Sequence, residues 1–78
     1  MDRIYTEHVL QDIKTEFSRA TEKFGPFNSA HEGYAVMLEE MDELWDEIKK
    51  KTKDLPHMRE EAIQIAAMAM RFVIDICD

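Results

Sequence analysis

Little in this chain can brace it from within. Its one cysteine, Cys77, excludes an internal disulfide, and three scattered histidines (His8, His31, His57) beside it make a poor supply for structural zinc. No apolar run reaches the roughly 20 residues of a membrane span, and the charged N-terminus does not read as a secretory leader. Cations are scarce: Lys and Arg number 10 against 17 Asp and Glu, a net charge of −7. That balance argues against a nucleic-acid backbone as a direct partner. It leaves room for a phosphorylated small molecule, provided a cation mediates. The compartment these features suggest is cytoplasmic. Glycine and proline are also sparse, 2 of each, with no low-complexity stretch and no internal repeat. What remains is 78 residues, read as a single domain over 1–78. A chain of this size buries only about 60% of its unfolded surface. Self-association, as a dimer or a tetramer, is the expected source of the missing core.

The breakers fall at Gly25-Pro26, Gly33 and Pro56 and divide the chain into three helical segments. The first, from about Tyr5 to Lys23, repeats Val9, Ile13, Phe17 and Ala20 at helical spacing, with Leu10 and Phe24 beside them. Gly25 and Pro26 end it. Ser29 followed by Glu32 is a capping-box signature, so the second segment is expected from Ser29 to about Lys51. Gly33 in its first turn costs about 1 kcal/mol against Ala; it is either simply tolerated or marks a close approach to the backbone. Tyr34, Met37, Met41, Leu44 and Ile48 form the expected inward seam, widened by Leu38 and Trp45. The third segment, Pro56 to Cys77, is apolar almost all round from Ala62 onward. Met58, Ala62, Ile65, Ala69, Phe72 and Ile76 are expected to pack on the second helix. Ile63, Ala67, Met70 and Ile74 then need cover from a second subunit. The fold class is all-α: a three-helix protomer forming a helical bundle by homo-oligomerisation.

Acids crowd the middle of the second segment: Glu39, Glu40, Asp42, Glu43, Asp46 and Glu47. At 100° per residue, Glu40, Glu43 and Glu47 line one flank of the apolar seam, and the others lie across it or outside. The third segment carries one polar stripe, Glu61, Gln64, Arg71 and Asp75. Antiparallel packing would set Glu40 and Glu43 opposite Glu61 and Gln64. Two carboxylates about 6 Å apart repel by roughly 3 kcal/mol at an effective dielectric near 20. That is heavy for a domain whose whole stability is about 5–15 kcal/mol. A hard divalent cation reverses the sign, and oxygen ligands suit Mg²⁺ or Mn²⁺. The plain alternative is a solvated acidic face. Against it stand Glu61 and Gln64, a polar pair that opens an otherwise apolar helix and needs a reason.

Glu39-Glu40-Met41-Asp42-Glu43-Leu44, followed by Glu61-Ala62-Ile63-Gln64, resembles the EExxE…ExxD pattern of MazG-like all-α nucleoside triphosphate pyrophosphohydrolases. Lys23-Phe24-Gly25 and the stretch from Asn28 to Glu40 are similar to short phage-type members of that superfamily. The likeness covers the chain from about Phe17 onward. It implies a helical assembly with a Mg²⁺ site between two helices, cleaving a nucleoside triphosphate to monophosphate and pyrophosphate. It also implies Glu40, Glu43 and Glu61 as metal ligands, and Gln64 stands where the family has Asp. An amide oxygen coordinates Mg²⁺ without adding charge. The implied site is therefore weaker or holds fewer ions, or it belongs to a relative that binds nucleotides without hydrolysing them.

Within that implied site, Glu39 or a free oxygen of the cluster, Glu40 included, would act as general base. Phe17, Phe24, Phe27 and Tyr34 either wall a base pocket or fill the core. Arg71 either pairs with Asp75 or contacts phosphate. Lys51, with Lys49, Lys50 and Lys53, either meets a polyphosphate or stays on the surface, and His31 either touches a nucleotide or faces solvent. His57 and Glu61 have the one-turn spacing of a metal pair, but a di-iron carboxylate bundle requires Glu-x-x-His in that order. Trp45 and the methionines read as core or interface. The expected function is Mg²⁺-dependent hydrolysis of a (deoxy)nucleoside triphosphate. The alternative is a non-catalytic helical dimer serving as a nucleotide-binding regulator or protein-interaction module.

Overall fold

The computed structural model describes residues 3–78, which are helical apart from two short connections, with no strand among the described residues. Helix α1 spans Arg3–Phe24, α2 Ala30–Lys49 and α3 Leu55–Phe72, and a π-helical turn, Val73–Cys77, continues α3. Each boundary has a local cause. Gly25 takes φ 72°, the left-handed region that glycine enters without penalty, and its N–H returns to Thr21 O at 2.8 Å. Ser29 caps α2, its Oγ accepting from Glu32 N at 3.1 Å. The reciprocal half of the expected capping box is displaced: Glu32 Oε1 accepts from Asn28 N at 2.9 Å instead of from Ser29. That bond holds the Glu32 carboxyl below its ordinary range. Helix α2 stops at Lys49, short of the expected Lys51, where Lys53 Nζ donates to the carbonyls of Ile48 and Lys50. Asp54 caps α3 through His57 N at 3.1 Å, with Pro56 in the first turn.

Helix α3 is the centre of the protomer and packs against both α2 and α1. It runs antiparallel to α2: Phe72 meets Gly33 at one end and His57 meets Glu47 at the other. The close approach that Gly33 marks is therefore the Phe72 ring. A Cβ at Gly33 would lie 2.6 Å from Phe72 Cδ2. The buried core is small, consisting of Ala20, Phe27, Ala67 and Met68, with Ile13, Phe17, Val36, Met37, Phe72 and Ile76 packed around it.

Both expected seams hold only in part. Met58, Ile65, Phe72 and Ile76, and on α2 Met37, Leu44 and Ile48, are half-buried. Ala67, expected to need cover from a second subunit, is fully buried in the protomer core. On α3, Ala62 and Ala69 are exposed, while Glu61, Ala67, Met68 and Arg71 are buried. On α2, Tyr34 and Met41 face solvent, while Gly33 and Glu47 are buried and Val36, Met37, Glu40, Leu44 and Ile48 are half-buried. The reason is that both helices carry apolar residues on more than one face, so apolar content alone selects no rotation. Partners for the polar stripe do select one, because the stripe finds hydrogen bonds and ion pairs only when turned inward. The consequence is an apolar row left outside: Tyr34, Leu38, Met41 and Trp45 are between 45% and 63% exposed. No helix among the described residues is long and apolar enough to cross a membrane.

Candidate metal centre

The inward rotation brings three carboxylates together. Glu40 and Glu43 lie one turn apart on α2, and Glu61 faces them from α3; one ligand oxygen from each falls within 4.8 Å of the others. Glu61 is buried, Glu40 half-buried and Glu43 exposed. Glu40 Oε2 and Glu61 Oε2 are buried without a hydrogen-bond partner. Burial pushes the Glu40 carboxyl up to about 7, and repulsion from Glu43 and Glu61 adds to it. Burial also raises Glu61, followed by its contact with Glu43. Burial and crowding thus favour the protonated form of Glu40 and of Glu61. Hard oxygen donors, unpartnered buried oxygens and mutual repulsion are the features a divalent cation such as Mg²⁺ or Mn²⁺ answers. Gln64 is half-buried one turn beyond Glu61.

Two further residues join the cluster. His57 Nε2 lies 3.3 Å from Glu61 Oε1, and His57 Nδ1 lies 3.2 Å from Glu47 Oε2. Glu47 is only 6% exposed, and its Oε2 also accepts from Lys50 Nζ at 2.8 Å. Sequence reasoning set both aside as site residues. The signal that could have found them is reciprocal spacing. Glu47 is one turn after Glu43 and His57 one turn before Glu61, so antiparallel packing makes them meet.

Beside the cluster opens a cavity of about 440 Å³, framed by the end of α1, the 25–29 connection, the first half of α2, and α3. Glu39 and Glu40 form part of its wall. Ala20, Phe24, Pro26, Phe27, Val36 and Met68 give it an apolar lining, and Arg19, Asn28, Glu32 and Arg71 supply polar groups. Of the expected substrate contacts, Phe24 and Arg71 are here. Tyr34 and Lys51 are not: Tyr34 sits exposed in the outer row, and Lys51 is exposed in the α2–α3 connection. His31 is exposed as well.

Arg71 is 3% exposed, with Nη2 donating to Gly25 O at 2.6 Å, Nη1 to Met68 Sδ at 3.3 Å, and its guanidinium carbon 4.2 Å from the Phe27 ring centre. Its Nε has no partner. Asp75 does not pair with it; Asp75 Oδ2 accepts from Phe27 N at 3.0 Å. The two residues hold the 25–29 connection from beneath and make Phe27 a fixed wall. Comparison with protein-family models, with curated proteins and with solved structures finds no match to this chain.

Proposed function

We propose that this chain is a Mg²⁺-dependent nucleoside triphosphate pyrophosphohydrolase that acts as a homo-oligomer. The observation that carries the reading is the convergence of Glu40, Glu43 and Glu61, with unpartnered buried oxygens, on the edge of a cavity large enough for a nucleoside. Glu40, Glu43 and Glu61 would hold the cation, with Gln64 as a neutral fourth oxygen. The bound ion supplies Lewis-acid stabilisation of phosphate oxygens. The apolar part of the cavity, with Phe24 and Phe27, takes the base and sugar. Glu39, exposed at the cavity wall, accepts the proton of the attacking water on a carboxylate oxygen. Water adds to phosphorus, the bond between the α- and β-phosphoryl groups breaks, and pyrophosphate leaves.

The outer row supports the assembly. Residues 34, 38, 41 and 45 follow the alternating four- and three-residue steps of a coiled-coil seam. An antiparallel second copy sets Tyr34 of one chain against Trp45 of the other and Leu38 against Met41. The pairing is self-complementary under a two-fold axis. A stable interface takes about 800 Å² from each partner, and the exposed Val73 and Ile74 of the π-helical turn after α3 add apolar surface beyond this row.

The deciding experiment is a pyrophosphate-release screen over ribo- and deoxyribonucleoside triphosphates, with and without Mg²⁺. Mg²⁺-dependent release supports the enzyme. Nucleotide binding without release from any triphosphate supports the second reading, a regulator or interaction module, which Gln64 favours by removing one charge from the implied ligand set.

A further inference from the structure

We propose that His57, clamped by Glu47, is a positioning residue of the cluster: it holds one oxygen of Glu61 so that the other is presented to the cation. The inference rests on the metal reading above and extends it to residues outside the Glu40–Glu43–Glu61 set. Its basis is the partition of the two Glu61 oxygens. Oε1 meets His57 Nε2 at 3.3 Å, whereas Oε2 is buried and unpartnered, in a residue only 8% exposed. A buried carboxylate with neither oxygen engaged has no fixed rotamer, and anchoring one oxygen aims the other.

His57 is itself fixed at three points. Its backbone N–H bonds Asp54 Oδ1 at 3.1 Å, its Nδ1 faces Glu47 Oε2, and its Nε2 faces Glu61. Glu47 is fixed in turn by Lys50 Nζ. The row Lys50, Glu47, His57, Glu61 runs from the surface to the cluster and gives Glu47 a reason to be buried. Groups that orient a metal-binding side chain from behind typically change metal affinity by about 10- to 100-fold when removed.

The test uses Mn²⁺ alone as probe, its binding to the full chain followed by electron paramagnetic resonance, with thermal melts of each metal-free variant. The amide nitrogen of Gln falls near His Nε2 and that of Asn near His Nδ1. His57→Gln therefore keeps a nitrogen facing Glu61, while His57→Asn keeps only the one facing Glu47. His57→Ala and His57→Asn are expected to weaken Mn²⁺ binding by about 10- to 100-fold, and His57→Gln by no more than about threefold. A merely structural histidine would not separate Asn from Gln. Equal affinities for those two variants, or parent-like binding by His57→Ala, overturn the proposal. If His57→Ala does not fold, the Asn–Gln pair alone decides. Glu61→Gln serves as the reference. If it loses Mn²⁺ binding while His57→Ala keeps it, the metal reading stands and the role of His57 falls. If the parent shows no saturable Mn²⁺ binding, both fall together.

Discussion

Hydrophobicity does not separate the two long faces of α2: Val36, Met37, Leu44 and Ile48 turn inward beside two acids, while four large apolar residues stay outside. The face toward α3 carries Glu40 and the buried Glu47, whereas the face toward solvent carries Tyr34, Leu38, Met41 and Trp45. Full burial of a large apolar side chain contributes about 1.5–3 kcal/mol, so the protomer leaves a substantial stabilisation unused on its outside. Meanwhile it brings together carboxylates that repel one another. A lone domain has no reason to accept both. Under the proposed reading, a cation answers the inner face and a second copy covers the outer one.

The sharpest way to break the inner face is Glu61→Gln. It keeps shape and removes the charge that α3 contributes, and Mg²⁺-dependent pyrophosphate release should fall to background while the helices persist by circular dichroism. The outer face is broken by Trp45→Glu. Loss of an aromatic anchor, once in each copy, costs about 2 kcal/mol or more, roughly a 30-fold weaker association, and light scattering should show a monomer at concentrations where the parent is oligomeric.

A smaller effect sharpens the helix contact beneath both faces. Gly33→Ala places a Cβ against the Phe72 ring, and overpacking of about 1–3 kcal/mol outweighs the roughly 1 kcal/mol of helix propensity gained. The melting temperature should drop, and Phe72→Leu in the same chain should recover part of it.

The smallest is a slope with pH. Glu40 is raised from the ordinary 4.5 to about 7, so between those values the folded state binds more protons than the unfolded one. The stability contributed by this group is complete below pH 4.5 and is lost as pH rises toward 7. Melts of the metal-free protein should record that decline; Glu40→Gln should flatten it, and saturating Mg²⁺ should offset it near neutrality. A melting temperature that rises over this window in chelator would contradict the crowding of the three carboxylates.

Much of the fold was legible in the residues. Ser29 caps a helix, Gly25 ends one, and the sparse breakers leave three segments at nearly the observed bounds, whereas the cap at Asp54 emerged only in the structure. Glu40, Glu43 and Glu61 were legible as a set because two lie one turn apart and the third opens the polar stripe of the following helix. Glu47 and His57 were only partly so: His57 shows its one-turn spacing to Glu61 and Glu47 shares the flank of Glu40 and Glu43, but only their contact across the two helices joins them to the cluster. The cavity was half legible. Phe24 and Arg71 line it as aromatic and cationic candidates, but Tyr34 and Lys51 carry the same chemistry and lie elsewhere.

Local physics thus determined what the sequence alone could determine: where backbone donors find caps, where φ turns positive, and which residues share a turn. Those interactions span four residues or fewer and do not depend on the rest of the molecule. The rotation of each helix about its axis was decided only by tertiary packing. Helices with apolar residues on more than one face bury similar area in more than one orientation. The choice between orientations falls to the polar groups, whose partners — Gly25 O for Arg71, Phe27 N for Asp75, Glu47 for His57 — lie on other parts of the chain and come together only when the helices pack.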